Sequence, residues 1–279
     1  MKISTIETGL FKLDGGAMFG VVPRKMWEKL NPPDENNMCT WSMRCLLVED
    51  GEKKILIDTG MGNKQGEKFR SHFLPHGEDA LLGSLKDKGV TPEEITDVLL
   101  THLHFDHVGG ALFLDDDGNP MPTFPNAKYW TNEPHWKWAL NPNPREKASF
   151  LKENLLPLEE HGVLHFIDFG DSDEVIWNGI TLRLLYGHTH AMMMPIIPYQ
   201  DSKLVYCADL MPSMHHIGLP YIISFDVRPL ESLKEKTRLL EEAVVGKWTL
   251  CFEHDAQNIA CKVIKNEKGR IVAGERVLI

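Results

Sequence analysis

The chain has 279 residues, of which 42% are hydrophobic and 25% charged, a balance that excludes a disordered or collagen-like protein. Its 30 Lys and Arg against 40 Asp and Glu give a formal net charge of −10, which argues against nucleic acid as the main partner, because phosphate binding needs a surplus of basic residues. No apolar run approaches the roughly 20 residues that a transmembrane helix needs, so we expect no membrane partner.

The first half of the chain alternates between predicted strands and helices. In chain order, the patterns predict an edge strand at 3–13, a turn at 14–16, a short helix at 26–30, strands at 43–48 and 54–57, a helix at 78–88, a capped helix start at 91–94, a strand at 97–101, and helices at 133–140 and 146–160. Glu49–Glu52 is a hairpin signal between two of these strands, and Gly89 ends the helix that precedes it.

The second half repeats the order of strands followed by a helix. The patterns predict strands at 175–177, 180–186, 203–207 and 249–252, and an amphipathic helix at 230–244. Asn178-Gly179 is a strong hairpin signal between the first two of these strands. Two successive sets of strands followed by helices predict an α/β (α+β) fold, in which two sheets pack between helix layers.

The residues with the clearest chemistry follow the predicted strand at 97–101. His102, His104, Asp106 and His107 fall within six residues, and the two-residue period of an extended chain points the first two histidines to one face. Imidazole and carboxylate groups suit Zn²⁺, Fe²⁺, Mn²⁺ or Co²⁺, while the absence of a nearby Cys argues against a structural thiolate zinc site. This segment therefore predicts ligands for two adjacent metal ions.

Five segments together resemble the motifs of the metallo-β-lactamase superfamily. In the order of that family they are Leu56–Gly60, His102–His107 with the pattern H-x-H-x-D-H, Tyr186–Thr189, Ala208-Asp209 and Phe252–Asp255. The resemblance implies a four-layer αβ/βα sandwich of two mixed sheets flanked by helices. It also implies that residues 1–279 form a single domain made of two βα halves.

The same resemblance implies a dinuclear ligand set, with Zn²⁺ expected first and Fe, Mn or Co as alternatives. One ion would be held by His102, His104 and His188, the other by Asp106, His107 and His254, with Asp209 bridging both. Asp58 would orient a ligand from outside the metal shell. His190 stands where relatives often have proline, and we assign it a supporting role.

Further segments are similar to a quorum-quenching lactonase branch that opens N-acyl-homoserine lactones. They are residues 14–23, 192–195, 209–213 leading to His216, and 225–226. The resemblance implies attack on the lactone carbonyl by a hydroxide that bridges the two metals, with Asp106 or Asp209 delivering the proton.

The same branch implies how the substrate would be held. Met18, Phe19 and Val21 would supply an apolar wall for the acyl chain of a small amphiphilic lactone or ester. Lactonases of this branch place a Tyr three positions after the bridging Asp, where this chain has Pro212. We therefore expect His216, or else His215, to bind the carbonyl and stabilise the oxyanion.

Alternatives remain open at this level. An organophosphate triesterase, or another ester or thioester hydrolase of the same fold, would share the metal centre and differ in the pocket. An inactive scaffold is disfavoured, because all seven ligands are present. The odd set of five Cys and an N-terminus without an apolar segment predict a cytoplasmic protein without a signal peptide, and a homodimer is an assembly that the resemblance allows.

Overall fold

The computed structural model of the chain describes residues 1–77 and 81–279 and contains two compact units. Unit 1 consists of Met1–Leu10 and Met43–Gly170, and unit 2 consists of Phe11–Ser42 and Asp171–Ile279. The described residues contain mixed β-sheets as well as helices, which confirms the predicted α/β class. Among the helices of the described residues, none combines the length and apolar composition needed to cross a membrane.

The secondary structure follows the chain in this order. The strands are β1 (Lys2–Asp14), β2 (Met38–Asp50), β3 (Lys53–Ile57), β4 (Asp97–Leu99), β5 (Leu112–Leu114), β6 (Pro120–Pro122), β7 (Lys128–Thr131), β8 (Leu164–Phe166), β9 (Glu174–Trp177), β10 (Ile180–Leu185), β11 (Met192–Tyr199), β12 (Ser202–Tyr206), β13 (Thr249–Cys251), β14 (Ala260–Lys265) and β15 (Ile271–Val277). The α-helices are α1 (Gly15–Phe19), α2 (Arg24–Trp27), α3 (Glu67–Phe73), α4 (Leu81–Asp87), α5 (Phe105–Val108), α6 (Glu133–Leu140), α7 (Lys152–Glu160) and α8 (Pro229–Gly246).

A six-stranded sheet in the order β1-β2-β3-β4-β7-β8 accounts for most of the strands of unit 1. β2 and β3 form the predicted antiparallel hairpin, whereas β3, β4, β7 and β8 pair in parallel. Because parallel strands share a direction, the residues that follow β3 and β4 lie at the same edge of the sheet. Asp58 and the histidine-rich segment are those residues, and the Asp58 N–H donates to Leu99 O at 2.9 Å.

The seven-stranded sheet of unit 2 has the order β15-β14-β13-β12-β11-β10-β9. Its pairs are antiparallel except for β12 and β13, which are parallel. β10 therefore runs in the same direction as β12 and β13, since it is separated from β12 by one antiparallel neighbour. His188, Asp209 and His254 follow these three strands, so the topology brings the three side chains to one edge of the sheet.

Several predicted elements agree with the structure. β1 lies at a sheet edge, the Asn178-Gly179 turn joins β9 and β10, and the helices predicted at 133–140 and 230–244 are present as α6 and α8. Both turn residues have positive φ, 48° and 78°, as a tight hairpin of this kind requires. The helix predicted at 78–88 is present as α4, and its first three predicted positions lie outside the described residues.

Other elements differ from the predictions for local reasons. The turn predicted at 14–16 is the start of helix α1, because the Asp14 carboxylate accepts the Ala17 N–H at 2.7 Å and caps it. The capping box at Thr91 is formed, but it begins a short 3₁₀ turn. The helix predicted from residue 146 begins only at Lys152.

We predict that Leu56→Ala lowers the free energy of unfolding by roughly 2–5 kcal/mol, because the truncation leaves a cavity in a packed core. Leu56 is fully buried on β3 with Val98 and Leu100 in the core of unit 1. Urea denaturation followed by circular dichroism measures the loss. Leu114→Ala is the control, since that side chain is 45% exposed, and we expect it to cost less than about 1 kcal/mol. Equal losses in the two variants would contradict the packing argument.

Candidate metal centre

In unit 1 the first two histidines of the motif each direct one ring nitrogen toward the other. His102 Nε2 lies 3.1 Å from His104 Nδ1, and both rings are buried. Two ligands of a tetrahedral zinc ion with metal–nitrogen bonds of about 2.0–2.1 Å are separated by about 3.3 Å. The observed separation therefore fits two nitrogens that bind the same cation.

Asp58 holds this segment from the end of the neighbouring strand. Its Oδ1 accepts the Thr101 N–H at 2.7 Å, and its Oδ2 accepts the Thr101 hydroxyl at 2.6 Å. Oδ2 also lies 3.1 Å from His107 Nδ1, and both side chains are fully buried. The carboxylate thus fixes the orientation of the His107 ring and leaves Nε2 to act as a ligand. Asp106 Oδ2 lies 3.8 Å from that Nε2.

The glycines after the motif allow close backbone packing. A Cβ on Gly109 would lie 1.9 Å from Met61 O, and one on Gly110 would lie 2.2 Å from Thr59 O. The Thr59 N–H donates to His107 O at 2.8 Å, which ties the loop after β3 to helix α5. Side chains at the two glycine positions would force these segments apart.

Glu146 is a candidate site residue that sequence reasoning missed. It is buried, and its Oε1 lies 3.9 Å from His104 Nε2, the nitrogen opposite the proposed ligand atom. Its Oε2 accepts from Trp138 Nε1 at 2.9 Å and from Asn143 Nδ2 at 2.5 Å. Glu146 lies 42 positions after His104 in the chain, and this separation left no sequence signal for the contact.

In unit 2 the carboxylate of Asp209 lies between two histidines. Oδ2 is 3.1 Å from His188 Nε2, and Oδ1 is 2.9 Å from His254 Nε2. All three side chains are buried. One oxygen for each imidazole is the arrangement expected of a carboxylate that bridges two cations.

The outer nitrogens of these two histidines are also held. His188 Nδ1 lies 2.9 Å from Asp226 Oδ1, and His254 Nδ1 donates to Ser42 O at 2.7 Å. Burial alone would lower the pKa of His188, but the charges and hydrogen bonds of Asp209 and Asp226 outweigh it and raise the pKa to about 10. The sequence placed Asp226 only within a similar segment and assigned it no role.

These residues fit first-row divalent metal ions. Four of the histidines share one arrangement, in which one ring nitrogen contacts an orienting protein group and the other faces a further proposed ligand atom. They are His102, His107, His188 and His254. Nitrogen and carboxylate donors are the ligands that such ions prefer, and their outer partners are of the kind found around metal-binding histidines.

The structure places the predicted substrate residues in different surroundings. Met18 and Phe19 are buried in α1, whereas Val21 is 89% exposed, so the three do not form one wall. His215 is partly buried beside a cavity of about 20 Å³ that Trp41 also lines. The His190 ring packs on Tyr186, in unit 2, with a centroid distance of 5.5 Å, which is compatible with a supporting role.

His216 is fully buried, and both its ring nitrogens contact protein groups. Nε2 donates to Met18 O at 2.8 Å, Nδ1 lies 2.8 Å from Ser213 Oγ, and the ring stacks on Phe19 at 5.1 Å. Burial lowers the pKa of His216 to about 3, so the ring is neutral at ordinary pH. An oxyanion donor needs an N–H directed at the substrate, whereas the N–H of this ring is used by Met18.

Comparisons with known proteins find similarity over most of the chain. The sequence profile of the metallo-beta-lactamase superfamily matches residues 44–254. An N-acyl homoserine lactonase from Bacillus cereus is 27% identical over 248 residues, which cover 84% of this chain and 88% of that protein.

Solved structures show the same likeness. A probable metal-dependent hydrolase from Staphylococcus aureus has a TM-score of 0.85 and 28% identity, covering 99% of this chain and 98% of that chain. A dizinc quorum-quenching lactonase in complex with a product has a TM-score of 0.76 and 20% identity, covering 99% and 95% of the two chains. At that identity the second likeness is one of fold.

We predict that Asp226→Asn weakens metal binding by about 10–100-fold, because the amide orients His188 less firmly and lacks the charge that strengthens its ring as a ligand. Titration of the metal-loaded protein with a chelator, followed by metal analysis, measures the change. Asp201→Asn is the matched control, since Asp201 is an exposed carboxylate of the same unit. Unchanged metal retention in Asp226→Asn would show that the contact does not support the ligand.

Proposed function

Because this chain belongs to the metallo-beta-lactamase superfamily, we propose that it is a metal-dependent hydrolase that opens the lactone ring of N-acyl-homoserine lactones. The observation that carries the proposal is the Asp209 carboxylate, whose two oxygens each meet one imidazole nitrogen. The substrate class is supported by the lactonase of Bacillus cereus, which matches this chain over 84% of its length.

We propose that the predicted ligands bind one pair of metal ions, with Zn²⁺ first among them. His102, His104 and His188 would hold one ion, Asp106, His107 and His254 the other, and Asp209 would bridge the two. All seven residues fall within the segment 44–254 that matches the superfamily. Five neutral imidazoles and two carboxylates leave a net positive charge around two divalent ions, which favours binding of an electron-rich carbonyl.

Metal ions in this centre would polarise the lactone carbonyl and supply an activated water at neutral pH. The contribution of the chain is to orient the ligands and to exclude bulk water, since all seven side chains are buried. Asp209 and Asp106 are the carboxylates that we assign to proton transfer, because each lies beside a ligand nitrogen. Asp209 Oδ2 or Asp106 Oδ2 would accept the water proton and deliver it to the leaving alkoxide.

The geometry changes the role that we assign to His216. Its neutral ring links Met18 O to Ser213, and Phe19 covers one of its faces. We therefore propose that His216 supports the segment that bears Met18 and Phe19 and does not donate to the oxyanion. His215, which is partly buried, remains the candidate for a direct substrate contact.

We propose a single domain over residues 1–279, a cytoplasmic location, and a small amphiphilic lactone as the ligand. Organophosphate triesters and thioesters are the alternative substrates, because they need the same ligands and differ in the shape of the pocket that they require. A homodimer stays a prediction from the resemblance.

We predict that the metal-loaded enzyme has its highest kcat/KM on N-acyl-homoserine lactones in a panel that also contains a paraoxon-like triester and a thioester. A strong chelator should abolish ring opening, and added Zn²⁺, Mn²⁺ or Co²⁺ should restore it. Ring opening is followed by proton release in a weakly buffered indicator solution. A triester or thioester preference would transfer the proposal to the alternative substrate, and activity that survives metal removal would overturn the mechanism.

We predict that His102→Ala loses bound metal and at least about 100-fold in kcat/KM, since loss of an outer partner of a ligand already costs 10–100-fold. Metal content and kinetics are measured on the same sample. His72→Ala is the matched control, because His72 is an exposed histidine on α3 of the same unit, and it should behave like the wild type. Full metal content with wild-type kinetics in His102→Ala would remove this residue from the proposed ligand set.

A further inference from the structure

Helix α8 packs behind the loop that carries His188. The Glu235 carboxylate accepts the N–H of Tyr186 at 2.6 Å and that of Gly187 at 3.2 Å. A Cβ on Gly187 would lie 2.3 Å from the backbone nitrogen of Ser232, so helix and loop are in close contact. The first turns of α8 therefore fix the backbone directly before a ligand.

The next residue of the helix, Lys236, reaches a second loop. Its side chain is fully buried, and Nζ donates to His216 O at 2.8 Å, Gly218 O at 2.9 Å and Tyr221 O at 2.8 Å. An ammonium group has three N–H donors, so all of them are accounted for by backbone carbonyls. The Lys236 side chain thus links three backbone carbonyl groups of the segment 216–221.

This loop is continuous with the other ligands of unit 2. The segment 216–221 begins seven residues after Asp209, and in the stretch between them Pro212 O accepts the His254 N–H at 2.9 Å. The Met214 N–H donates to Asp255 Oδ2 at 3.0 Å, directly after the histidine. A shift of the loop would therefore move the backbone on which two ligands depend.

An ammonium group is an expensive choice for this position. Burial lowers the pKa of Lys236 to about 7, while the charge of Asp226 favours the protonated form. A Met or Leu side chain would fill the space without the cost of removing a charge from water. Three short hydrogen bonds to backbone carbonyls are what the charged group provides and an apolar side chain would not.

We propose that Lys236 is a positioning residue, whose ammonium group holds the loop after Asp209 and thereby sets the geometry of the ligands in unit 2. The proposal rests on the metal centre proposed above. It assigns to α8 a role on both sides, since Glu235 holds the loop of His188 while Lys236 holds the loop that follows Asp209.

The test compares Lys236→Met with Lys234→Met. Lys234 is an exposed lysine two residues earlier on the same helix. Hydrogen exchange followed by mass spectrometry should show at least about tenfold faster exchange over residues 209–223 in Lys236→Met, because three charge-assisted hydrogen bonds are lost. Peptides from residues 97–112 of unit 1 should exchange as in the wild type. Lys234→Met should match the wild type throughout.

Two readouts connect the loop to the metal. Lys236→Met should lose metal to a chelator about tenfold faster, and its Co²⁺-loaded form should show shifted visible absorption bands. Lys236→Gln and Lys236→Arg test the charge, and Arg, which keeps the charge and N–H donors, should lie closer to the wild type than Gln. These two variants decide the question if Lys236→Met does not fold.

The proposal is overturned if exchange over 209–223 and metal loss stay at wild-type values, or if exchange rises equally in both units, which would indicate a general packing defect. It is also overturned if Gln lies closer to the wild type than Arg. A wild-type protein that binds metal but opens no lactone would refute the proposed function alone. The loop and metal readouts would still decide the role of Lys236.

Discussion

The interaction on which the site depends is the buried contact of Asp209 with His188 and His254. A carboxylate removed from water is costly unless cations or hydrogen-bond donors compensate it. Here each oxygen has an imidazole beside it, and the imidazoles are in turn held by Asp226 and by Ser42 O. Each buried polar group in this network therefore depends on its neighbour. Removal of one side chain leaves the adjacent charged or polar group buried without a hydrogen-bond partner.

Sheet topology makes that concentration of polar groups feasible. In unit 2 the three ligands follow strands that run in the same direction, and in unit 1 Asp58 and the ligand segment follow the parallel strands β3 and β4, so short loops bring each set of groups together without long connections. The loops are then held by groups outside the ligand set. Asp58 fixes the loop of unit 1 through Thr101, and the glycine at 109 lets the backbone come close enough for that loop to pack.

The residues around α1 show how the same chemistry can serve a different purpose. The resemblance to the lactonase branch, with Pro212 in place of its Tyr, suggests His216 as an oxyanion donor. In the structure His216 lies in a stack with Phe19 and Trp27, and its nitrogens bond to protein groups. Burial lowers the pKa of His216 and favours a neutral ring, so here the imidazole acts as a structural link between two segments.

The sequence by itself determined what depends on neighbours along the chain. Three features can be recognised within a short window of sequence, because local sterics and hydrogen bonding govern the structures that they indicate. They are the H-x-H-x-D-H segment, the Asn178-Gly179 hairpin and the period of α8. By contrast, β11 contains Pro195 and Pro198, and β14 and β15 have no clear alternation, so their pairing could not be predicted from local pattern.

Only the tertiary structure decided which distant groups support the ligands. Glu146 and Lys236 are ordinary charged residues in the sequence, with no spacing that relates them to a motif, and Asp226 lies in a similar segment that gives it no role. They acquire their roles because folding buries them next to groups that lie 15 to 42 positions away. Contacts of this kind depend on packing between elements, and the free energy that selects them is absent from any short window of sequence.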